Sequence, residues 1–447
     1  MQVAIAMLAC VLVLLPSAAW PAPPGMDLAQ AYRLALEQDA ALRAARAAAQ
    51  VRRERLPQAR AQLLPNVGAQ LTKFRNDLTS TFPGPDAVSI TTRDEYGSYA
   101  HSLTVRQQIF RPYHWADKRQ AEAQVAEAEA TLDSEMQSLA VRLVTVYLQA
   151  LAAEDEVALV LTQKSAYATQ VQAARRRLSA GSGTRTDIDE AQARFDMAVA
   201  RELAARQNVG YTRQHLHALT GPAADVLARV APERLPLVSP DPRELQAWTE
   251  RSERYSPQMR ALVAQVEGAR HEVDKAQAAH LPTLDAVAAY SVSYADNVTR
   301  LNTKFDQKAI GLQLNVPIFS SGYASSRVRQ AHADLERISE VLEVARRELG
   351  LRVYKEFRGV SEGVLRVRAL EQAVRSAETL VASTRRSYEA GSRTQVDVLN
   401  AEEQRVTAMR DLEEARYQYL LARITLRALA GDADMAAIEE LNGWLQP

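Results

Sequence analysis

The sequence predicts a mainly α chain with a small complement of strands suited to a membrane, arranged as two structural repeats. Three observations predict it: two helical patterns of nearly seventy residues each, four segments that alternate with period two, and landmarks that recur at a near-constant offset. At 447 residues the chain exceeds the ~250–300 at which one hydrophobic core stops growing, so an elongated or divided shape is expected. Glycine supplies only 17 residues, about half its ordinary share of ~7%, and the abundance of Ala, Leu, Glu, Gln and Arg favours long helices. The 54 basic and 54 acidic side chains cancel, which removes the basic footprint of a nucleic-acid partner. The single cysteine, Cys10, excludes a disulfide framework and any Cys-based zinc or iron–sulfur site.

The amino-terminal residues read as a processing segment. Residues 3–15 form a 13-residue apolar run followed by Pro16-Ser17-Ala18-Ala19. A spanning helix needs ~20 apolar residues, so the run is too short and matches the apolar region of a secretory signal. Small residues at Ser17 and Ala19 place the expected cut after Ala19, giving a 1–19 signal peptide and a mature chain without cysteine. Residues 1–7 lack the usual Lys or Arg, and a start further upstream is one reading of that. Met7-Leu8-Ala9 is a poor lipidation box for Cys10. Later apolar stretches are interrupted by residues such as Arg142 and Gln149, so any membrane insertion must use a β-barrel.

The chain contains itself twice. Leu64-Pro65 recurs as Leu281-Pro282, 217 residues on; Ile109-Phe110 recurs as Ile318-Phe319, 209 on. Ala180-Gly181-Ser182 recurs as Ala390-Gly391-Ser392, and Leu219-Thr220-Gly221 as Leu429-Ala430-Gly431, both 210 on. The one jump in offset gives the first copy about eight extra residues between Pro65 and Phe110, which are expected in a loop, where added length costs little. The boundaries that follow are 20–222 for the first repeat, 223–242 for an equatorial linker, 243–431 for the second repeat, and 432–447 for a C-terminal segment.

Each copy holds two alternating segments, about 66–75 and 98–110, then about 283–295 and 308–319. Val67, Ala69 and Leu71 share one phase; so do Leu103, Val105 and Ile109, while Arg106 and Gln108 take the other. In the second copy Leu284, Ala286, Ala288, Tyr290, Val292 and Tyr294 alternate, as do Ile310, Leu312, Leu314, Val316 and Ile318. This period over ~10 residues fits transmembrane strands, and it equally fits a half-buried sheet in a soluble domain. Four strands cannot close a barrel, since the smallest single-chain barrels have eight. Either the sheet is open and covered, or several chains build one barrel.

The helices come next. Residues 112–178 contain no Gly and no Pro after Pro112, and sixty-seven residues at ~1.5 Å rise give roughly 100 Å. The second long helix, 323–390, carries Gly350, Gly359 and Gly363, where it is expected to bend. Returning helices follow at 187–220 and 397–430, and shorter leading helices at about 40–63 and 257–280. A leading and a returning helix stacked end to end match the length of one long helix, which allows a uniform helical wall.

A signal segment, a duplicated strand–strand–long-helix unit and Gly-containing turns together resemble the TolC-type outer-membrane efflux protein family. The resemblance spans Asp27-Leu28-Ala29-Gln30-Ala31-Tyr32 to Leu429-Ala430-Gly431. Its most specific motif runs from Tyr388-Glu389-Ala390-Gly391-Ser392-Arg393-Thr394 to Asp397 and Asn400, with a weaker partner at Gly181-Ser182-Gly183-Thr184-Arg185-Thr186-Asp187. His280-Leu281-Pro282-Thr283-Leu284 and Val316-Pro317-Ile318-Phe319-Ser320-Ser321-Gly322 match the family's strand boundaries. The resemblance implies a homotrimer whose twelve strands form one outer-membrane β-barrel, continued by a long periplasmic α-helical barrel. It also implies outer-membrane lipid around the strands, a periplasmic adaptor (membrane-fusion protein), and an inner-membrane ABC or proton-driven transporter. The implied function is an exit duct of a tripartite export system. Ile109-Phe110-Arg111-Pro112-Tyr113 looks like the type I protein-secretion branch, the alternative being a multidrug or small-molecule efflux duct.

The resemblance also implies roles at the periplasmic tip. Asp397 lines the pore constriction, where three facing carboxylates are expected to raise the pKa of at least one. Asn400 stands where the family often has a second acidic ring, a departure expected to weaken cation binding. Tyr388 and Arg393 close the tip by bonding to Thr186 and Asp187, with Arg393–Asp187 as one such bond. Gly181 and Gly391 let the turns adopt positive φ and admit an adaptor hairpin. Read without the resemblance, Asp397 is an ordinary helix N-cap after a turn, the glycines are helix C-caps, and the charges are a solvated surface, as is Arg175-Arg176-Arg177. No catalytic, metal or cofactor site is expected. Gly181-Ser182-Gly183-Thr184 lacks the Gly-Lys-Ser/Thr of a phosphate loop, and His215 and His217, two apart, face different sides of a helix. A soluble periplasmic coiled-coil scaffold remains the reading from a different class.

Overall fold

A computed structural model describes residues 26–84, 89–221, 226–297 and 300–446. The expected signal peptide at 1–19 lies outside the described residues. The chain opens with three short helices: α1 (Leu28–Gln38), α2 (Ala40–Arg53) and α3 (Arg55–Ala61). A single leading helix was expected over 40–63; it divides at Glu54 because Pro57 cannot donate to the carbonyl one turn back. A hairpin follows, β1 (Asn66–Pro83) and β2 (Ser89–Phe110), then α4 (Pro112–Ser179) and its return, α5 (Arg185–Thr220). The second half comprises β3 (Arg229–Val230), α6 (Leu245–Tyr255), α7 (Pro257–Gln277), β4 (Thr283–Asn297), β5 (Arg300–Asn315), α8 (Tyr323–Glu389) and α9 (Gln395–Leu429). It ends in α10 (Met435–Asn442) and β6 (Leu445–Gln446).

The four long strands form one antiparallel sheet in the order β1-β2-β4-β5. Register aligns the apolar phase of all four. Val67 lies beside Val105, Val105 beside Ala288 and Ala288 beside Ile310; the next row is Ala69, Leu103 and Tyr290, ending on Lys308 of β5. That face is open: Ile310 is 89% exposed, with Leu71, Val67 and Leu312 also exposed. Among the described residues β1 and β5 each pair on one side only, so two strand edges are left without a ladder. An uncovered apolar face with two free edges suits neither a soluble surface nor lipid on its own.

Two strand boundaries differ from the expectation. The extra residues of the first copy lengthen the β1–β2 ladder, whose last pair is Pro83 with Ser89, instead of swelling a loop. Residues 76–83 are mostly polar and lack alternation, yet cross-strand pairs such as Arg75–Glu95, Asp77–Arg93 and Thr81–Thr91 hold the ladder there. β5 stops at Asn315, short of 319, because Asn315 pairs with Thr283, before which β4 is ended by Pro282, and Pro317 carries no N–H.

α4 packs along α5 towards one end and along α2 and α7 towards the other, while α8 runs against α9 and also touches α7. α8 is one continuous helix through its three glycines. A Cβ at Gly359 would lie 3.0 Å from the Ala422 side chain, and one at Gly363 would lie 3.3 Å from Tyr419, so they permit close approach of α9. The main core gathers Leu139, Leu143, Tyr147, Leu349, Val353, Tyr419 and Ile424 with α1, α6 and α10, as a collar around mid-helix. The Tyr147 hydroxyl donates to the carbonyl of Ala228 at 2.9 Å, and that of Tyr419 to Pro236 at 2.8 Å, tying the linker to the long helices. Where strands give way to helices, Arg111 forks onto the buried Asp285 at 3.2 and 2.9 Å and joins the two repeats. Among the described residues, no helix is long and apolar enough to cross a membrane.

Candidate functional site

The far ends of the long helices are built by two copies of one turn. α4 and α8 each finish with a glycine at positive φ, Gly181 at 74° and Gly391 at 79°. A Cβ at either would meet open space, so backbone conformation is what selects glycine there. The next residue turns back to close the helix: Ser182 N donates to Arg177 O at 3.0 Å, and Ser392 N to Ser387 O at 2.9 Å. A reciprocal capping box then starts each returning helix. Asp187 accepts from Thr184 N at 3.0 Å and from its hydroxyl at 2.7 Å; Asp397 accepts from Thr394 N and hydroxyl, both at 2.9 Å.

Side chains then diversify this shared frame. Asp397 is held below the usual carboxylate range by the Thr394 backbone N–H and hydroxyl, with Arg393 adding to the effect. In one chain, therefore, the shift runs opposite to the rise expected from a carboxylate ring, because the capping bonds are made to the charged form. Arg393 lies 3.6 Å from Asp397, not against Asp187 of its own chain. Tyr388 is half-buried and donates to Gln395 at 3.0 Å. Burial pushes its phenol up, and nearby Asp187 adds to the rise. Thr186 is exposed on the first turn of α5, and Asn400 accepts a hydrogen bond from Arg194 at 2.8 Å.

The family model for outer membrane efflux proteins matches residues 31–222 and 248–432. The chain belongs to that family. Its two matched stretches flank the linker between the repeats. The alkaline protease secretion protein AprF of Pseudomonas aeruginosa is 34% identical over 418 residues, spanning 93% of this chain and 86% of that protein. The proteases secretion protein PrtF of Dickeya chrysanthemi is 31% identical over 424 residues, spanning 94% and 91%. Among solved structures, the outer membrane protein VceC of Vibrio cholerae shares the fold at a TM-score of 0.76 and 18% identity, covering 91% of this chain and 96% of that one. As an outer membrane efflux protein the chain is an outer-membrane channel component, and the soluble scaffold reading falls.

Two tip residues escaped sequence reasoning. The Arg177 guanidinium sits 4.2 Å from the centre of the Tyr388 ring, a cation–π contact from α4 to α8, where a solvated face was expected. Arg194 on α5 reaches both Glu403 and Asn400 on α9. The pair α4–α5 and the pair α8–α9 are thus joined by Arg177 and Arg194 near the tip, as they are further along by Tyr417 of α9 on Asp155 of α4. The repeat itself was the available signal for Arg177: it lies one residue before the position corresponding to Tyr388.

Proposed function

We propose that this chain is the exit duct of a tripartite export system of the type I protein-secretion class. The carrying observation is the open four-stranded sheet, with an apolar face in register and two unpaired edges. Hydrocarbon tolerates no free strand edge, so copies must join edge to edge, and three copies reach twelve strands. The long helices then continue the cylinder through the periplasm. Protein cargo is supported by two relatives whose names assign them to protease secretion.

In this reading Asp397 and Asn400 line the constriction of the trimer, and Gly181 and Gly391 mark the turns where a periplasmic adaptor docks. Tyr388, Arg393, Thr186 and Asp187 hold the tip shut, Arg393 finding Asp187 on a neighbouring copy. The adaptor in turn engages an inner-membrane transporter. Such bonds contribute ~1 kcal/mol each, somewhat more when charged, which adaptor docking can overcome.

A deletion strain tests the reading. It should lose one secreted protein from the medium while keeping its drug resistance, and outer-membrane extracts should yield an SDS-resistant trimer that dissociates on heating. Normal secretion with new drug sensitivity would make it a small-molecule duct.

A further inference from the structure

About nine residues above the start of α5, or ~13 Å along the helix, lies a polar connection between α5 and α9. The Arg194 guanidinium donates to Glu403 at 2.9 Å through Nη1 and to Asn400 at 2.8 Å through Nη2, both on α9. Glu190 on its own helix lies 3.5 Å from Nη2, and Arg201 stands 4.0 Å from the other Glu403 oxygen. Only 23% of the Arg194 side chain is exposed. Directly alongside, Leu399 is fully buried against Tyr167 and Ala198, with Phe195 packed on them. Apolar contacts of this kind tolerate sliding; a planar guanidinium bonded to two residues one helical turn apart on the facing helix does not. Exposed ion pairs contribute little; here the acceptor side chains of Glu403 and Asn400 are exposed, but the guanidinium is mostly sheltered and carries two bonds to the opposite helix.

We propose that Arg194 is a positioning residue of the gate, an intra-chain latch that fixes α9 against α5 in the closed register and must release Asn400 and Glu403 for the tip to open. The proposal rests on the duct reading and adds to it. The latch joins the two helix pairs within one chain, whereas the proposed Arg393–Asp187 bond joins neighbouring chains. It also gives Asn400 a task that needs an acceptor but no charge, since Glu403 already balances the guanidinium.

The test uses the full-length protein in planar bilayers. Arg194→Gln should raise the share of recording time spent at the larger conductance level by roughly tenfold, the effect of losing one charge-assisted bond. Asn400→Ala should move it the same way by less, and the double variant should not exceed Arg194→Gln, because both act on one bond. Arg194→Lys should recover part of the closed population. SDS-resistant trimer and helical content should match the wild type. If Arg194→Gln assembles poorly, Glu403→Gln is read in its place with the same expectation. Wild-type gating in Arg194→Gln or Glu403→Gln, or additive effects in the double variant, overturns the latch. A wild-type protein that forms no pore overturns the duct reading, and the latch falls with it.

Discussion

The two tip turns share a backbone and little else. Gly181 and Gly391 adopt the same positive φ, Ser182 and Ser392 make the same return bond, and Thr184–Asp187 and Thr394–Asp397 form the same capping box. At the points where they differ, the side chains are complementary. Leu178 in the outer turn corresponds to Tyr388 in the inner one, and Arg177, just before it, lies over that tyrosine. Gly183 corresponds to Arg393, and a Cβ at Gly183 would stand 3.0 Å from Leu178 N. The outer turn presents no side chain where the inner turn presents a cation. Duplication supplied the frame, and divergence made one copy fit the other.

If the frames are equivalent, Gly181→Val and Gly391→Val should destabilise their turns alike, by about 1–2 kcal/mol each, because a branched side chain is forced into the left-handed region. Hydrogen exchange at the tip amides reads this; one turn loosening without the other would break the equivalence. Thr184→Ala and Thr394→Ala should each cost about 1 kcal/mol of local stability by the same measurement. The complementarity is weaker: Arg177→Gln should lose about 0.5–1 kcal/mol through its cation–π contact. That loss should vanish when Tyr388 is already leucine, and an undiminished loss in the Tyr388→Leu background would show that the two do not interact. Arg393→Ser removes an exposed pair of little consequence for stability, and its readout is the pore: conductance should rise, and a pore no wider than wild type removes Arg393 from the gate.

Acid sharpens the comparison from the inner side. The folded Asp397 carboxyl titrates below its unfolded value near ~3.9. Its contribution is therefore fully present above that pH and lost as pH falls through the lower folded value. Tip protection at residues 394–400 should fade in that acid window, and Asp397→Asn should already lack it at neutral pH. Fading that the Asn variant shows equally would assign the acid step to another group.

Much of the architecture was legible because the signals are local. A period of two marked the membrane-facing residues, and the absence of glycine marked α4. Turn chemistry marked both tips through a dozen residues each. The β1–β2 ladder beyond residue 75 was not legible, since Asn76–Pro83 carries no alternation and is held by partners on β2. The packing role of Gly359 and Gly363 was not legible either, since a single helix's sequence does not disclose that Ala422 and Tyr419 will press against it.

The sequence by itself determined the kinds of element, the lengths of the two long helices, the repetition and the conformation of the tips, because each follows from residues within a turn or two of one another. Tertiary structure alone decided that β2 pairs with β4, that α7 packs against both long helices, and that Arg177 meets Tyr388 and Arg194 meets Asn400. Those partners stand from about fifty to about two hundred residues apart along the chain. Their meeting depends on burial and close packing across helices, which no local pattern records.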